Sequence, residues 1–418
     1  MQIQQLLNRV AHYKGFVHGE ATFYENRRGQ PCLDFRVRPR KGSKAMCSGC
    51  GERRPGYDTS DERRFQFIPL WGILVFFVYV MRRVDCPQCG VRVERVPWAD
   101  GKARITNAYA WFLAGWAKRL SWTQTAEVFH TSYHYVFASV QSAVEWGRAH
   151  MNLDGIEAIG VDEIQYRLGH RYLTLVYQID AGRRRLLWIG ENRTKETFDS
   201  FFDWLGETRC GAIKYICSDM WKPYLTVAKS RIGNAVHILD RFHLVAHLNK
   251  AVDQVRREEA ARMRREGYEP ILAKLRWCLL KKPENLTAGQ SEKLKSLLGY
   301  NLKTVRAYLL KEEFQLFWNY VSPYWAGKFL DRWCTRAMRS RIEPVKRVAR
   351  TYRTHRPLIL NWFAAKKQFS SGVVEGLNNK AKLTTKRAYG FSSLKTLQIA
   401  LYHTLGDLPE PEIAHRFF

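Results

Sequence analysis

The spacing of apolar residues changes several times along this chain, and the changes divide it into regions of different predicted structure. Up to about residue 100 the apolar runs are rich in β-branched and aromatic residues, which is typical of strands. Apolar residues then recur at helical spacing to about residue 152, strands return from about residue 155, and helical spacing resumes after Asp240. This order predicts a multidomain α/β protein that begins with a small β-rich domain.

The longest apolar run, "FIPLWGILVFFVYVM", occupies Phe67–Met81 and raises the question of a membrane span. Its 15 residues include Pro69 and Gly72, whereas a helix needs about 20 apolar residues to cross a bilayer. Ile, Val, Phe and Tyr dominate the run, so we interpret it as a buried strand. The first residues of the chain lack the basic start and apolar core of a secretory signal. We therefore expect a cytoplasmic protein with no membrane partner.

The region from residue 153 onward begins with three predicted antiparallel strands in "IEAIGVDEI", "YLTLVYQID" and "RRLLWIG". Thr194 can cap a following helix, whose apolar residues from Phe198 to Leu205 recur at i, i+3, i+4 and i+7. "AIKYICSD" then predicts a fourth strand, "WKPYLTVAKS" a helix and "AVHILD" a fifth strand. The order βββαβαβ is that of a ribonuclease-H-like domain, in which the first and fourth strands are neighbours.

A helical block rich in lysine, arginine and tryptophan follows the fifth strand, from about residue 245 to 362. We predict it to be an all-α insertion. The chain then divides into a β-rich domain over residues 1–100, a helical domain over 101–152 and a ribonuclease-H-like domain over 153–418 that contains the insertion.

Charge limits the classes of partner that this protein can have. Its 418 residues contain 68 Lys and Arg against 39 Asp and Glu, a formal net charge of +29 that is spread along the chain. With 46% hydrophobic residues, the chain can form packed cores. A globular protein of such charge is expected to bind a polyanion, most simply nucleic acid, because neutralised phosphates release their counterions.

Four of the nine cysteines form two CxxC pairs, Cys47 with Cys50 in "CSGC" and Cys86 with Cys89 in "CPQC". A glycine follows each pair, and each CxxC turn can present two thiolates, so the two pairs match the four ligands of a structural zinc site. Chance pairs or a redox dithiol are the alternatives. The other five cysteines are isolated, and we predict them to be small buried side chains.

Residues 121–140 predict two short helices joined by a tight turn, with Ser132 as the cap of the second helix. Any helical hairpin produces this pattern, but a position between a zinc module and a basic C-terminal half favours a DNA-binding helix-turn-helix. The contact between its helices is predicted at Ala126, Val128, Val136 and Val140. The predicted DNA contacts at the start of its second helix are Ser132, Tyr133 and Tyr135.

Three acidic residues are set apart by their surroundings. Asp162 is in the middle of the first strand, where an ionised side chain is costly to bury without a partner, and Asp219 ends the fourth strand. Because those strands are expected to be neighbours, the two carboxylates would lie side by side and their repulsion would favour a divalent cation. Glu375 is the single acidic residue of "QFSSGVVEGLNNKAKLTTKRAYGF" and would complete the set from a helix packed across the sheet.

Such a trio suits phosphodiester chemistry. Two Mg²⁺ ions about 4 Å apart can activate the attacking oxygen and stabilise the leaving one, and carboxylates are the ligands that Mg²⁺ prefers. In the alternative interpretation Asp162 forms an ordinary ion pair, Asp219 caps a helix and Glu375 is a surface charge. The polar and basic residues after Glu375 are predicted to hold DNA phosphates: Asn379, Lys380, Lys382, Lys386 and Arg387.

Two further acidic positions compete with the trio. Glu163 follows Asp162, but alternation along a strand directs it to the opposite face. Asp240 ends the fifth strand, and His243 and His247 follow it at i and i+4 spacing on the next helix. A helix cap with DNA-facing histidines explains this segment more simply than metal ligation does. We therefore keep Asp240 and His243 only as supporting residues beside the ligands.

These motifs together resemble bacterial insertion-sequence DDE transposases of the ISL-three family. The two CxxC pairs resemble its zinc pairs, "GVDEIQYRLGHRYLTLVYQID" its first acidic motif and "CSDMWKPY" its second. "DRFHLVAHLN" resembles the segment that follows, and "SGVVEGLNNKAKLTTKRAYGF" the third acidic motif. The resemblance implies an N-terminal zinc-binding region, a helix-turn-helix and a catalytic domain with the triad Asp162, Asp219 and Glu375.

The resemblance also implies an activity and its partners. We expect an enzyme that binds the terminal inverted repeats of its own element and uses two Mg²⁺ or Mn²⁺ ions to cleave DNA and join it to target DNA. It would act as a homodimer or a higher homo-oligomer on DNA. Two other functions stay open: a zinc-containing DNA-binding regulator with a degenerate nuclease fold, and a ribonuclease-H-like nuclease that cuts without joining.

Overall fold

The protein is a mixed α/β chain that divides into two compact units. Its computed structural model describes residues 3–167, 169–269, 271–367, 372–387, 391 and 393–412, with the backbone alone for Arg387. The first unit is formed by the residues up to Met151 together with those from Lys386 onward, and the second unit by Asn152–Thr385. No helix within these described ranges has the length and apolar character that a membrane crossing requires.

The first unit begins with helix α1 (Ile3–Val10), which is followed by a mixed five-stranded sheet and a small two-stranded sheet. The core lies around Trp98, whose ring makes edge contacts with Phe16, Phe65 and Tyr79. The five-stranded sheet has the order β1-β2-β6-β5, with β7 also paired to β6. The strands are β1 (Phe16–Glu25), β2 (Pro31–Pro39), β3 (Ala45–Met46), β4 (Arg53–Arg54), β5 (Gly56–Leu70), β6 (Ile73–Cys86) and β7 (Gly90–Val93).

The apolar run Phe67–Met81 is a hairpin, so its interpretation as one buried strand was wrong. β5 and β6 pair antiparallel across Trp71 and Gly72, which have positive φ angles of 49° and 81°. Trp71 is 87% exposed. Because Trp71 is apolar, the turn does not interrupt the apolar run in the sequence. Pro69 and Gly72 are nevertheless residue types that indicate a turn.

The first unit continues with three helices, α2 (Asn107–Trp116), α3 (Trp122–Val128) and α4 (Tyr133–Ala149). The cap predicted at Ser132 is confirmed, because its hydroxyl accepts the N–H of Tyr135. Of the four residues predicted to join α3 and α4, Val128 is 56% exposed and the prediction was wrong there. Val128 comes two residues after the buried Ala126, which turns it roughly 200° around the helix.

The second unit contains a five-stranded sheet of order β10-β9-β8-β11-β12. The first three strands in sequence are antiparallel, and β11 pairs in parallel with both β8 and β12. The expectation that the first and fourth strands of this region are neighbours is thus confirmed. The strands are β8 (Ala158–Arg167), β9 (Arg171–Asp180), β10 (Arg183–Glu191), β11 (Tyr215–Ser218) and β12 (Val236–Leu239).

Three helices connect the later strands of this sheet: α5 (Lys195–Leu205), α6 (Glu207–Ala212) and α7 (Lys222–Arg231). The Thr194 hydroxyl accepts the N–H of Thr197 and caps α5, as predicted. The apolar face of α5 from Phe198 to Leu205 is buried, and Phe198 packs edge-on against Tyr224 of α7. These contacts cover one face of the sheet.

The segment that follows β12 is helical in its described residues. Its helices pack around Phe314, Trp333 and Tyr352, whose rings lie within 6 Å of one another. The Tyr352 hydroxyl donates to the carbonyl of Leu244 at 2.6 Å and so joins two helices that are distant in sequence. The helices are α8 (Arg241–Arg265), α9 (Arg276–Leu280), α10 (Ala288–Leu298), α11 (Lys303–Gln315), α12 (Pro323–Arg339), α13 (Glu343–Thr354) and α14 (Arg356–Ala364).

Two further helices follow in the described part of the chain, α15 (Gly372–Arg387) and α16 (Leu394–Leu405). α16 packs against α4 in the first unit. The guanidinium carbon of Arg148 lies 4.3 Å from the ring centre of Tyr402. Beyond α16, Leu408 lies so close to Gly147 that a Cβ there would be 2.7 Å from it. The first unit is therefore assembled from both ends of the chain.

Candidate functional site

Asp162 lies in the middle of β8, and both of its carboxylate oxygens accept hydrogen bonds. Oδ1 accepts the backbone N–H of Glu163 at 2.8 Å, and Oδ2 accepts Nδ2 of Asn378 at 2.5 Å. The Asn378 amide is buried, and its Oδ1 accepts the Tyr177 hydroxyl at 2.6 Å. Because Tyr177 occupies the amide oxygen, the amide nitrogen faces Asp162. Asn378 thus fixes the orientation of the Asp162 carboxylate.

The helix α15, which carries Glu375, is seated directly on β8. A Cβ atom at Gly160 would be 2.4 Å from Cγ2 of Val374, which is closer than packed carbon atoms come. Val374 and Asn378 are buried, whereas the neighbouring Glu375 is half-buried. Among the described residues, the Glu375 carboxylate has no hydrogen-bond partner and no ion pair. Glycine at residue 160 therefore allows the helix of Glu375 to approach the strand of Asp162.

Substitution of Gly160 by alanine is expected to displace α15, because Val374 is β-branched and has little rotamer freedom in a helix. We expect a loss of about 1–3 kcal/mol in the free energy of unfolding, the usual effect of overpacking. Gly182→Ala is the matched control, since a Cβ there meets nothing within 4 Å. Denaturant unfolding of the two variants measures the difference. Equal stability of Gly160→Ala and Gly182→Ala would contradict the close packing of α15 on β8.

Asp219 lies directly after β11, and its two oxygens have different partners. Oδ1 accepts the N–H of Trp221 at 2.9 Å, and Oδ2 accepts Nη2 of Arg193 at 3.1 Å. Nη1 of Arg193 lies 2.8 Å from Oε1 of Glu163, and its guanidinium carbon lies 4.5 Å from the ring centre of Trp221. Arg193 thus bridges Glu163 and Asp219.

Glu163 and Asp162 have different neighbours, as alternation along β8 predicts. Glu163 accepts the Tyr224 hydroxyl of α7 at 3.2 Å, whereas Asp162 contacts α15. Burial raises the pKa of Glu163 to about 7, the charges of Asp219 and Asp162 also raise it, and Arg193 opposes them. The cation of Arg193 thus offsets part of the negative charge of Glu163 and Asp219.

Asp240 directly follows β12 at the same edge of the sheet. Its carboxylate accepts the N–H of Phe242 at 2.6 Å and caps α8, and its own N–H donates to the Ser218 carbonyl at 2.8 Å. Nε2 of His243 lies 3.9 Å from Asp240 Oδ2. Burial raises the pKa of Asp162, the charges of Asp240 and Asp219 raise it further, and His243 lowers it. Several carboxylates are therefore close enough at this edge to repel one another.

In this structure the ligand atoms of Asp162, Asp219 and Glu375 do not all lie within 4.8 Å of one another. Among the described residues, the four cysteines of the two CxxC pairs are the only group of three or more His, Cys, Asp or Glu side chains whose ligand atoms all lie within 4.8 Å of one another. Asp162 is held by Asn378, and Asp219 is turned to Arg193. Both partners were missed from the sequence, although Asn378 lies only three residues after Glu375 in "EGLNNK".

The cysteine group, Cys47, Cys50, Cys86 and Cys89, joins the β3–β4 hairpin to the end of β6. Gly51 and Gly90 follow the two pairs with positive φ angles of 74° and 70°, which explains the need for glycine there. Hydrogen bonds from the backbone N–H groups of Cys50 and Gly49 lower the pKa of Cys47 and so favour the thiolate. Four convergent sulfur atoms match a tetrahedral zinc site. The isolated cysteines are buried, as predicted: Cys32, Cys210, Cys217, Cys278 and Cys334.

The residues predicted to contact DNA are placed on two helices. At the start of α4, Tyr133 is exposed and Tyr135 is half-buried, while the Ser132 hydroxyl is used as the helix cap. On α15 the predicted residues lie on the solvent-exposed side, and the Arg387 side chain is outside the described residues. The exposed ones are Asn379, Lys380, Lys382 and Lys386.

Comparisons with known proteins agree with the motifs. A family model for ISL-three DDE transposases, described as transposase, matches residues 159–401. The transposase for insertion sequence element IS1557 of Mycobacterium tuberculosis is 33% identical over 401 residues, which cover 90% of this chain and 89% of the relative. The transposase for insertion sequence element IS1001 of Bordetella parapertussis is 29% identical over 349 residues, covering 83% and 85%. With similarity of this extent, the chain belongs to the ISL-three family of insertion-sequence DDE transposases.

Proposed function

We propose that this transposase binds the terminal inverted repeats of its own element and catalyses metal-dependent DNA cleavage and strand transfer, with Asp162, Asp219 and Glu375 as the catalytic residues. The observation that carries the proposal is the convergence of three elements. Asp162 and Asp219 lie on neighbouring parallel strands, and the helix of Glu375 is seated on the first of them at Gly160. This arrangement supports a ribonuclease-H-like catalytic domain from residue 153 onward.

Divalent cations fit the chemistry of this edge of the sheet. The side chains are carboxylates, the hard oxygen ligands that Mg²⁺ and Mn²⁺ prefer, and their mutual repulsion raises the pKa of Asp162 in addition to burial. Asp162, Asp219 and Glu375 would hold two such ions, which activate the attacking oxygen and stabilise the leaving oxygen of the phosphodiester. We assign Asp240 and His243 a supporting role beside these ligands.

The neighbouring residues orient these ligands. Asn378 directs the Asp162 carboxylate by donating to Oδ2, and Tyr177 holds the Asn378 amide in place. Arg193 pairs with both Asp219 and Glu163, so it would keep its contact with Glu163 if Asp219 turned toward a bound cation. A cation contact at Asp219 would therefore not leave Arg193 unpaired.

The remaining regions are assigned to DNA binding and to structure. We infer that the two CxxC pairs hold one structural zinc ion in a domain over residues 1–100, and that residues 101–152 form the helix-turn-helix that reads the terminal repeat. The exposed lysines of α15 lie on the helix of Glu375 and would hold phosphates near the cleavage position. A homodimer or higher homo-oligomer would hold the DNA ends.

The proposal is tested with a labelled duplex that carries the terminal repeat found in the DNA flanking the gene. With Mg²⁺, the protein is expected to release a 3′ hydroxyl at the element end and to join that end to a target plasmid. A duplex with a scrambled repeat and a reaction with EDTA are the controls. Nicking without joined product would favour the nuclease, and specific binding with neither product would favour the regulator.

A further inference from the structure

The first unit contains a groove of about 540 Å³ whose lining is strongly basic. It is formed by the start of β1, the segment after β2, the β3–β4 hairpin and the segment after β7. Its lining includes seven lysines and arginines, and no Asp or Glu is among the described residues that line it. We call it the basic groove, and its cationic residues are Lys14, Arg40, Lys41, Lys44, Arg53, Arg82 and Arg95.

One of these cations, Arg82, is a structural part of the groove. It forms an ion pair of 2.7 Å with Oε2 of the buried Glu94 and donates through Nη1 to the Ser43 carbonyl at 2.9 Å. The Tyr79 hydroxyl also donates to Glu94, at 2.5 Å. The Glu94 charge is therefore paired with Arg82 and does not neutralise the cations at the rim of the groove.

In the described ranges, the cations at the rim of the groove are not paired with a buried carboxylate in this way. Lys14, Arg40, Lys41, Lys44 and Arg53 are exposed, and within the described part of the chain none of them forms an ion pair. The remaining rim residue, Arg95, lies 3.9 Å from Asp100. The backbone that carries them is fixed by bonds of 2.8 Å from Arg40 N–H to the Gly15 carbonyl and from Arg95 N–H to the Met46 carbonyl. Like charges held together on a fixed backbone create a positive potential that an anion relieves.

One wall of the basic groove is formed by residues adjacent to the cysteine group. Arg53 pairs with Met46 across the β3–β4 hairpin, and both residues line the groove. Cys47 follows Met46 directly, and its N–H donates to the Glu52 carbonyl at 2.8 Å. The position of Arg53 therefore depends on the turn that holds Cys47 and Cys50.

We propose that the basic groove binds the phosphate backbone of duplex DNA and that the cysteine group fixes the wall of the groove that carries Arg53. The proposal rests on the proposed function, since it assumes a DNA substrate. Phosphate contact fits better than base stacking because Phe16, the aromatic residue of the lining, is half-buried with Arg82 over its ring. Contacts of this kind position a protein on DNA without reading sequence.

The test compares two double variants of the full-length protein with equal loss of charge. Lys41→Ala with Lys44→Ala removes two rim cations. Arg27→Ala with Arg28→Ala removes two exposed cations at the far end of the 10-residue strand β1, roughly 33 Å away at about 3.3 Å per residue. The groove variant should lose about 10- to 60-fold in affinity at 0.1 M salt, and its log affinity should fall less steeply with log salt, by about 0.9 for each phosphate that is no longer neutralised. The control should behave as the parent.

The loss should be the same factor for the terminal repeat and for a scrambled duplex, because phosphates carry no sequence information. Arg53→Ala should weaken DNA binding by the parent protein. In the Cys86→Ser variant it should have no further effect, because the turn that positions Arg53 is no longer fixed. If the groove variant bound DNA with unchanged affinity while the parent protein still nicked and joined DNA, the proposal that the basic groove binds DNA would be wrong. The proposed function would not be affected. A loss confined to the terminal repeat, or to RNA, would also overturn the proposal for the basic groove. If the parent protein bound no duplex DNA, both the proposal for the basic groove and the proposed function would be wrong.

Discussion

Glu375→Gln is expected to reduce Mg²⁺-dependent nicking of the terminal repeat by at least about 10²-fold while DNA binding survives. The substitution keeps the size of the side chain and removes the charge that holds a cation. Charge stabilisation by a bound metal is worth several kcal/mol, and about 1.4 kcal/mol is a factor of ten in rate. Asp162→Asn and Asp219→Asn should behave alike, and double variants should be no worse than single ones because the three residues act as one unit.

The control for this series has to be a carboxylate that makes only a surface contact. Glu157 forms an exposed ion pair of 2.7 Å with Lys214, and such pairs contribute at most about 1 kcal/mol. Glu157→Gln should therefore nick at the parent rate. Glu163→Gln is a poor control, because Glu163 shares Arg193 with Asp219. Near-normal nicking by Glu375→Gln would remove Glu375 from the catalytic set.

Cys86→Ser is expected to remove the metal from the first unit. Purified protein should contain one zinc ion per chain, and the variant should contain none after dialysis in reductant. Structural zinc sites contribute about 10–16 kcal/mol of binding free energy in zinc-finger peptides, so the β3–β4 hairpin should lose its fold with the metal. Metal analysis measures the zinc content, and thermal unfolding measures the loss of stability.

Cys32 offers a matched control for this substitution. Cys32 and Cys86 lie in the same sheet and are each 1% exposed, but Cys32 lies outside the cysteine group. Cys32→Ser should therefore lower stability through burial of a hydroxyl and yet retain one zinc per chain. Equal zinc content in the two variants, or a parent without zinc in reduced form, would show that the two CxxC pairs do not bind this metal.

The elements of the sheet in the second unit could be predicted because their signals are local. Strands rich in β-branched residues, the cap at Thr194 and the apolar face of α5 each depend on residues within one short segment. The same holds for Ser132, whereas the hairpin at Trp71 was missed because its turn contains an aromatic residue. Local patterns thus identify elements more reliably than they identify the turns between apolar strands.

The side-chain partners at the candidate site could not be predicted in the same way. Asn378 contacts Asp162 across 216 residues and Tyr177 across 201 residues. Arg193 follows β10 in a loop with no periodicity, and only the folded sheet brings it to Asp219. Contacts at such separation depend on how the helices return to the sheet, which no segment of sequence specifies by itself.

The contact of α16 with α4 has a consequence for biosynthesis. α4 leaves the ribosome early, but the helix that covers it is made roughly 250 residues later, on the order of 10 to 50 s at about 5–20 residues per second. Until then Gly147 and Arg148 lack the neighbours Leu408 and Tyr402. The helical part of the first unit is thus completed only after the second unit, Asn152–Thr385, has been synthesised. A prematurely terminated transposase would carry its first unit with the surface of α4 uncovered.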